Sequence, residues 1–485
     1  MKNYILYLCL SMTLFISCDS FLSEPPEKKD NLEIKTVEAV DLLLNHYNIL
    51  FDRSRERIFA SDSYGLYKDY YLVKPSLFTG ALKYIVWLPD LLPSSATYYW
   101  EQEWNKISYA NTVLNTIDQL EGTEVDKVRL IQDAHFLRAY EYYNMMTMFC
   151  LPYSEETKDA LGLPLKKTLS FDESFKRSSL EETKNFIEEE LTEALKTTIQ
   201  RNEDLLFRIS LPAVQAFAAR FYLYIHDYTK AEDFASKALK AHSELVNIDN
   251  YFTPYNWKYT AVGKNYYGPN APTDYKYPEF YYARVIYNHT SNAVPSQKLV
   301  NLYDQTNDAR YEHFIVEDYS LNRAQTEGWD AYWQFGSIGI IHGPTTAEMM
   351  LIMAECLARK GETAQAITYL NNLRSTRYKA GTYTDLKASD FANKKEIVQF
   401  IIDERQREFP FAHRWDDIKR INSDPQNVVD KITITREFYQ TDGVTVDESQ
   451  TKTYTLAPGD PRFAWPISQL DIELSNGQLV QNPYE

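Results

Sequence analysis

Two glutamates one helical turn apart, Glu404 and Glu408, stand among Arg405 and Arg407 in "IIDERQREFPFAHRWDDIKR" (401–420). Paired carboxylates are the equipment of glycoside hydrolysis, one serving as acid and the other as base or nucleophile. Carboxylates at i and i+4 beside arginines more often form ion pairs along a helix, and that is the reading adopted for this pair. No HExxH, GxSxG or glycine-rich phosphate loop occurs in the chain. The eight histidines are scattered and none falls in metal-ligand spacing, so neither an enzyme nor a metal or other cofactor is expected.

The chemistry that the composition favours is recognition of flat, hydroxylated ligands. The chain holds 38 Tyr, 24 Phe and 8 Trp, more Tyr than a core requires, and Tyr suits places with one dry end and one wet end. A sugar ring presents C–H patches edged by hydroxyls, so its binder needs aromatic faces beside Asn, Asp, Gln or Arg. Three segments read as loops have this make-up: 62–99 ("DSYGLYKDYY", "WLPD", "SSATYY"), 251–284, and 327–335 ("EGWDAYWQF"). The candidate ligand contacts are Trp329, Trp333, Tyr332 and Asp330 in the third, Trp87, Tyr98 and Tyr99 in the first, and Trp257, Tyr266 and Tyr267 in the second. Trp100 and Trp104 recur at helical core spacing, and Trp465 lies in a terminal motif, so all three are assigned to packing.

The elements that must position these loops are paired helices. "YWEQEWNKISYANTVLNTIDQL" and "VDKVRLIQDAHFLRAYEYYNMMTMFC" form one pair, and Ser179 with Glu182 offers a capping box for the next helix. In "ISLPAVQAFAARFYLYIHDYTKAEDFASKALKAH" two helices meet around His226-Asp227, with alanines where they cross. "PTTAEMMLIMAECLARKGETAQAITYLNNLRSTR" repeats the design around Lys360-Gly361, with Thr345 and Glu348 as a second capping box. Helix–turn–helix units of about 34 residues are tetratricopeptide-like. They are separated by irregular insertions at about 243–343 and 422–465, the latter with strand-like "KITITREFYQ" and "TKTYTLAP". The expected fold is predominantly α, a single domain over 32–485 with tetratricopeptide-like helix pairs as scaffold and a few short strands.

The chain of 485 residues carries a net charge of −17, which excludes nucleic acid as a natural partner. Residues 1–17 read as a secretory signal: Lys2, an apolar run, then the small Ser17 directly before Cys18. That arrangement is the one in which the cysteine thiol takes a lipid and starts the mature chain, and residues 18–31 then form a flexible tether. Cys150 and Cys356 lie in apolar helical stretches and read as buried thiols.

Six segments in order give the chain its family resemblance: "CDSFLSEPP", "WEQEWNKISYANTVLNTID", "QDAHFLRAYEYYNMMTMFCLPY", "KLVNLYDQTNDAR", "IIDERQREFPFAHRWDDIKR" and "FAWPISQLDIELSNGQLVQNPYE". Together they resemble the SusD/RagB-like outer-membrane glycan-binding lipoproteins of Bacteroidetes. Cys150 replaces the usual Gly of the third segment, and Ala412-His413 the usual Glu-Gly of the fifth. The resemblance implies noncatalytic binding of an oligosaccharide or polysaccharide and its delivery to a SusC-like TonB-dependent transporter. It also implies an outer-membrane location, anchored through the Cys18 lipid and facing the exterior. A peptide ligand, or a pure assembly scaffold with no small ligand, remains open on the residues.

Overall fold

The computed structural model describes residues 34–54, 56–78, 80–89, 98–170, 172–252, 276–287, 293–316, 329–332 and 339–484. The signal, Cys18 and the tether fall outside them. Among the described residues nine helices carry the scaffold: α1 (Tyr98–Thr116), α2 (Glu124–Phe149), α3 (Leu180–Ala194), α4 (Leu211–Tyr224), α5 (Tyr228–Ala241), α6 (Thr346–Lys360), α7 (Thr363–Ser375), α8 (Lys394–Glu408) and α9 (Arg414–Asn422). They pack as antiparallel neighbours, α1 on α2, α4 on α5 and α6 on α7. The chain of contacts continues from α2 to α3, from α5 to α6 and from α6 to α8. The fold is predominantly α, as the periodicity indicates.

Local chemistry sets the boundaries. Ser179 and Glu182 close both arms of a capping box on α3. Thr345 accepts from the Glu348 amide at the start of α6, but the Glu348 carboxylate does not return to the cap. It turns inward to Arg220 instead, at 2.9 and 2.5 Å, because a buried guanidinium needs a carboxylate more than an amide does. Gly361 ends α6 at φ +92°, where a side chain would be strained. At the α4–α5 turn the left-handed residue is His226, at φ +69°. Its ring lies within hydrogen-bond distance of the Arg420 carbonyl, which ties the turn to α9 (3.0 Å).

The alanines of the repeats (Ala216, Ala219, Ala231, Ala235, Ala354, Ala358) are fully buried where helices cross. A continuous hydrophobic cluster runs from Ile58 to Leu479 and contains both Cys150 and Cys356 as buried free thiols. A smaller cluster joins Val37–Leu44 to α1 and α2. Among the described residues no helix is long and apolar enough to cross a membrane.

Short strands stitch the insertions to this scaffold. Phe51–Asp52 (β1) runs parallel to Val285–Tyr287 (β2), which pairs antiparallel with Gly339–Ile341 (β3). The two strand-like stretches near the C-terminus form one hairpin, Ile434–Thr441 (β4) and Val446–Leu456 (β5), with Ile434 opposite Leu456 and a register shift after Tyr439. Alternation along β4 buries Ile434, Arg436 and Phe438 and exposes Thr435 and Glu437, the pattern of a strand with one wet face.

Candidate functional site

The two glutamates of the fifth motif are structural. Glu404 is fully buried, and its carboxylate is shared by Arg310 (2.8 Å), Arg407 (2.7 Å) and Arg374. Glu408 meets Arg377 and Arg310, each at 2.7 Å. Burial pushes both carboxyls up, yet the surrounding guanidiniums hold Glu404 well below the usual range and Glu408 below it. Both stay ionised and enclosed, so neither offers the raised, accessible acid that glycoside cleavage requires.

The fold gathers histidines and carboxylates that are scattered in sequence. His342, His413 and Asp416 converge in one buried group, and Asp52, Glu103 and Glu141 in another. In the first, Arg57 lies 3.2 Å from His342 Nε2, while the Nδ1–H points to Asp52. Arg220 lies 3.3 Å from His413 Nε2. Neutral imidazoles accepting from guanidiniums have their lone pairs engaged, and burial pushes His342 down to about 3 and His413 well below its usual value. In the second group Lys106 pairs with all three carboxylates, and Arg284 with Asp52 and Glu141. These clusters are internal charge networks joining helices to β1–β3. No spacing rule could have revealed them, since Asp52 and His342 lie 290 positions apart.

The aromatic candidates separate clearly. Trp87 is buried, donates its indole N–H to the Ala60 carbonyl (3.0 Å) and lies beneath the Arg436 guanidinium (4.7 Å). Tyr99 falls inside α1 rather than in a loop. It is buried, bonded to the Asn144 carbonyl (3.0 Å) and stacked on Phe149. Tyr332 is fully buried in the short strand Ala331–Tyr332, which pairs with Ile315–Val316, and its ring packs on Phe411 at 5.1 Å. These three are corrections: each aromatic fills the core because long-range pairing, invisible in the local sequence, turns it inward. Tyr98 opens α1, and nothing is described of its side chain. Trp257, Tyr266, Tyr267 and Trp333 lie outside the described residues.

Trp329 and Asp330 remain half-buried at the surface. The Trp329 indole is flanked by Tyr67 (4.9 Å between centroids) and stacked on Tyr70 (5.2 Å, 25° between planes) of the short helix Lys68–Val73. Tyr67 forms one wall of a cleft of about 530 Å³. The segment Asp62–Tyr67, the turn at Ser296–Lys298 and the start of β4 enclose it. Backbone bonds from Gly65 to Val294 (2.9 Å) and from Ser296 to Ser63 (2.7 Å) zip the first two walls together. A Cβ at Gly65 would meet the Pro295 carbonyl and the Tyr67 ring, so the close approach needs glycine. Tyr67 donates its hydroxyl to that same Pro295 carbonyl (3.1 Å), which fixes the ring. Beyond the short helix, half-buried Tyr71 and Tyr439 continue the aromatic strip at 6.0 Å from each other.

Polar groups edge the cleft. Asp62 accepts from Arg414 (2.7 and 2.8 Å) and Lys298 (2.8 Å). Against the upward push of burial, those cations hold its carboxyl far below the usual range. Thr435, Gln297 and Glu437 complete the rim. Sequence reasoning singled out the segment "DSYGLYKDYY" but none of its tyrosines. The available signal was the spacing of Tyr64, Tyr67 and Tyr70, which places three rings along one short stretch.

An irregular, aromatic-walled cleft carried on a helix-pair scaffold defines a binding protein. Residues 255–484 match the SusD family, and residues 81–223 match a SusD-like family described as starch-binding and associating with the outer membrane. The chain belongs to the SusD/RagB-like family. A SusD-like protein of Formosa agariphila is 22% identical over 393 residues, covering 69% of this chain and 74% of that protein. The fold is shared with a sugar-binding protein, so described provisionally, of Bacteroides vulgatus (TM-score 0.66, 16% identity, 94% of this chain and 100% of that one). It is shared also with surface glycan-binding protein A of Bacteroides uniformis (TM-score 0.62, 14% identity, 93% and 100%).

Proposed function

We propose that this protein is a noncatalytic glycan-binding lipoprotein of the outer membrane. It holds an oligosaccharide or polysaccharide segment in the cleft between Tyr67 and β4, and delivers it to a SusC-like TonB-dependent transporter. The observation that carries the reading is the Tyr67 wall, braced by Trp329 and edged by Asp62, Lys298 and Thr435: an apolar face beside hydrogen-bonding groups, as sugar rings require. The family's described association with the outer membrane and the glycan-binding protein of the same fold support it. The enclosed state of Glu404 and Glu408 supports binding without turnover. A lipid on Cys18, with residues 18–31 as tether, anchors the body at the cell exterior.

Affinity electrophoresis against a polysaccharide panel tests the reading. The wild-type protein is expected to be retarded by at least one glycan with no release of products, and Tyr67→Ala to weaken that binding about tenfold, near 1.4 kcal/mol. Trp329→Ala and Trp333→Ala are expected to weaken it as well. Binding unchanged in the Tyr67 and Trp329 variants removes the cleft as the site. Retention of peptides alone, or co-purification with an outer-membrane barrel and no retention of any ligand, favours the peptide or scaffold alternative. For the anchor, Cys18→Ala is expected to move the protein from the membrane to the soluble fraction; an unchanged distribution refutes lipidation there.

A further inference from the structure

Among the described residues, one buried cation in the cleft wall has no salt-bridge partner, and the carboxylate of Asp62 acts on it only through space. Arg436 points inward from β4, and its guanidinium donates to the main-chain carbonyls of Phe59 (2.8 Å), Ile85 and Ser61 (2.5 Å). Its other neighbours are the rings of Trp87 (4.7 Å) and Tyr64 (5.7 Å). Neutral carbonyls and rings satisfy N–H groups but do not cancel the charge, and three carbonyls use three of the five N–H donors of arginine. Burial pulls the group down to about 10, so it stays cationic at neutral pH.

The neighbouring ion pairs do not supply the missing anion. Asp62 is shared by two cations, Arg414 and Lys298. Glu437 is matched by Lys68 at 3.0 Å. Asp330 acts on the Tyr67 hydroxyl instead. Lining the cleft, Lys298 and Arg436 face Asp62 and Glu437, but Asp62 also serves Arg414 and Glu437 also serves Lys68, on a chain whose net charge is −17. Lys298 is also the loosely held partner: its side chain is 59% exposed, and Asp62 keeps Arg414 if the ammonium swings away.

Resting on the glycan reading of this cleft, we propose that its ligand is an anionic glycan, carrying uronate or sulfate groups, with an acid group placed between Lys298 and Arg436. A neutral sugar would fill the same space and stack on the same ring, yet leave the buried charge uncompensated.

The test titrates the full-length protein with oligogalacturonate, with its carboxyl-reduced neutral counterpart, with a sulfated galactan oligosaccharide and with neutral β-glucan oligosaccharides. At least one acidic ligand is expected to bind tenfold or more tighter than the neutral ones and to weaken as salt rises from 50 to 500 mM. Lys298→Ala is expected to cost about tenfold for the acidic ligand while leaving the unfolding midpoint in place. Arg436→Gln is expected to do the same; if that variant fails to fold, the exposed Lys298 still decides the matter. Tyr67-dependent binding of neutral glycans with no acid preference and no salt effect overturns the charge proposal and leaves the glycan reading standing. Glycan binding that does not depend on Tyr67 anywhere in the panel removes this cleft as the site, and this proposal with it.

Discussion

Replacing Arg377 with methionine is expected to destabilise the protein by about 3–5 kcal/mol, the cost of removing one partner from a buried ion pair. Arg377 is fully enclosed just beyond the end of α7. It joins Glu279 (2.9 Å), Glu408 (2.7 Å) and the Val246 carbonyl (2.8 Å), and so ties the irregular insertion to two helices. Methionine of similar length fills the space but leaves Glu279 without its cation and Glu408 with Arg310 alone, away from water. The double variant Arg377→Met/Glu408→Gln should recover part of the loss, since the two changes share one network. Lys395→Ala, which breaks an exposed pair with Asp430, should shift stability by less than about 0.5 kcal/mol. Chemical denaturation of the three variants measures this directly; an Arg377→Met midpoint equal to that of Lys395→Ala would show that the buried network is energetically idle.

Lowering the pH from 7 to 5 is expected to destabilise the fold, with imidazoles as the main cause. Folded His342 gains a proton only near 3 and His226 near 4, because burial opposes the charged form and nearby arginines add to it. An unfolded imidazole gains one near 6.5. Between those values the unfolded chain binds more protons, so stability falls as pH falls, by up to about 1.4 kcal/mol per pH unit for each such histidine. Glu103 and Asp133, raised by burial, act in the opposite sense. Glu355, held low against its burial by Arg420 and Arg359, contributes only below the ordinary carboxylate range. Urea unfolding at steps between pH 7 and 5 checks the trend. His342→Asn, which keeps a donor for Asp52 and an acceptor for Arg57, should flatten the slope by about one proton. An unchanged slope would mean that His342 is not the titrating group.

The helix pairs were readable because their information is local. Alanines at crossing positions, Gly361, and the caps Ser179 and Thr345 act within three or four residues of themselves. The hairpin β4–β5 was readable for the same reason, through alternation along each strand. Trp87, Tyr99 and Tyr332 were misplaced because composition identifies aromatic residues without saying which way they face. Tyr99 belongs to the first turn of α1 and stacks on Phe149, and Tyr332 is drawn inward by the pairing of its strand with Ile315–Val316. Trp329 is half-buried, and its partners Tyr67 and Tyr70 come from a distant segment that no local pattern connects to it.

By itself, then, the sequence determined the helical scaffold, the placement of its turns and the family, because periodicity, capping and ordered motifs are properties of neighbouring residues. Only the tertiary structure decided which aromatics meet solvent, that Glu404 and Glu408 serve as internal counterions, and that Arg436 stands without a salt-bridge partner in the cleft wall. Those facts depend on pairs such as Asp62 with Arg414, 352 positions apart. Burial and charge balance are settled by what packs against a residue, and the chain must fold before that is defined.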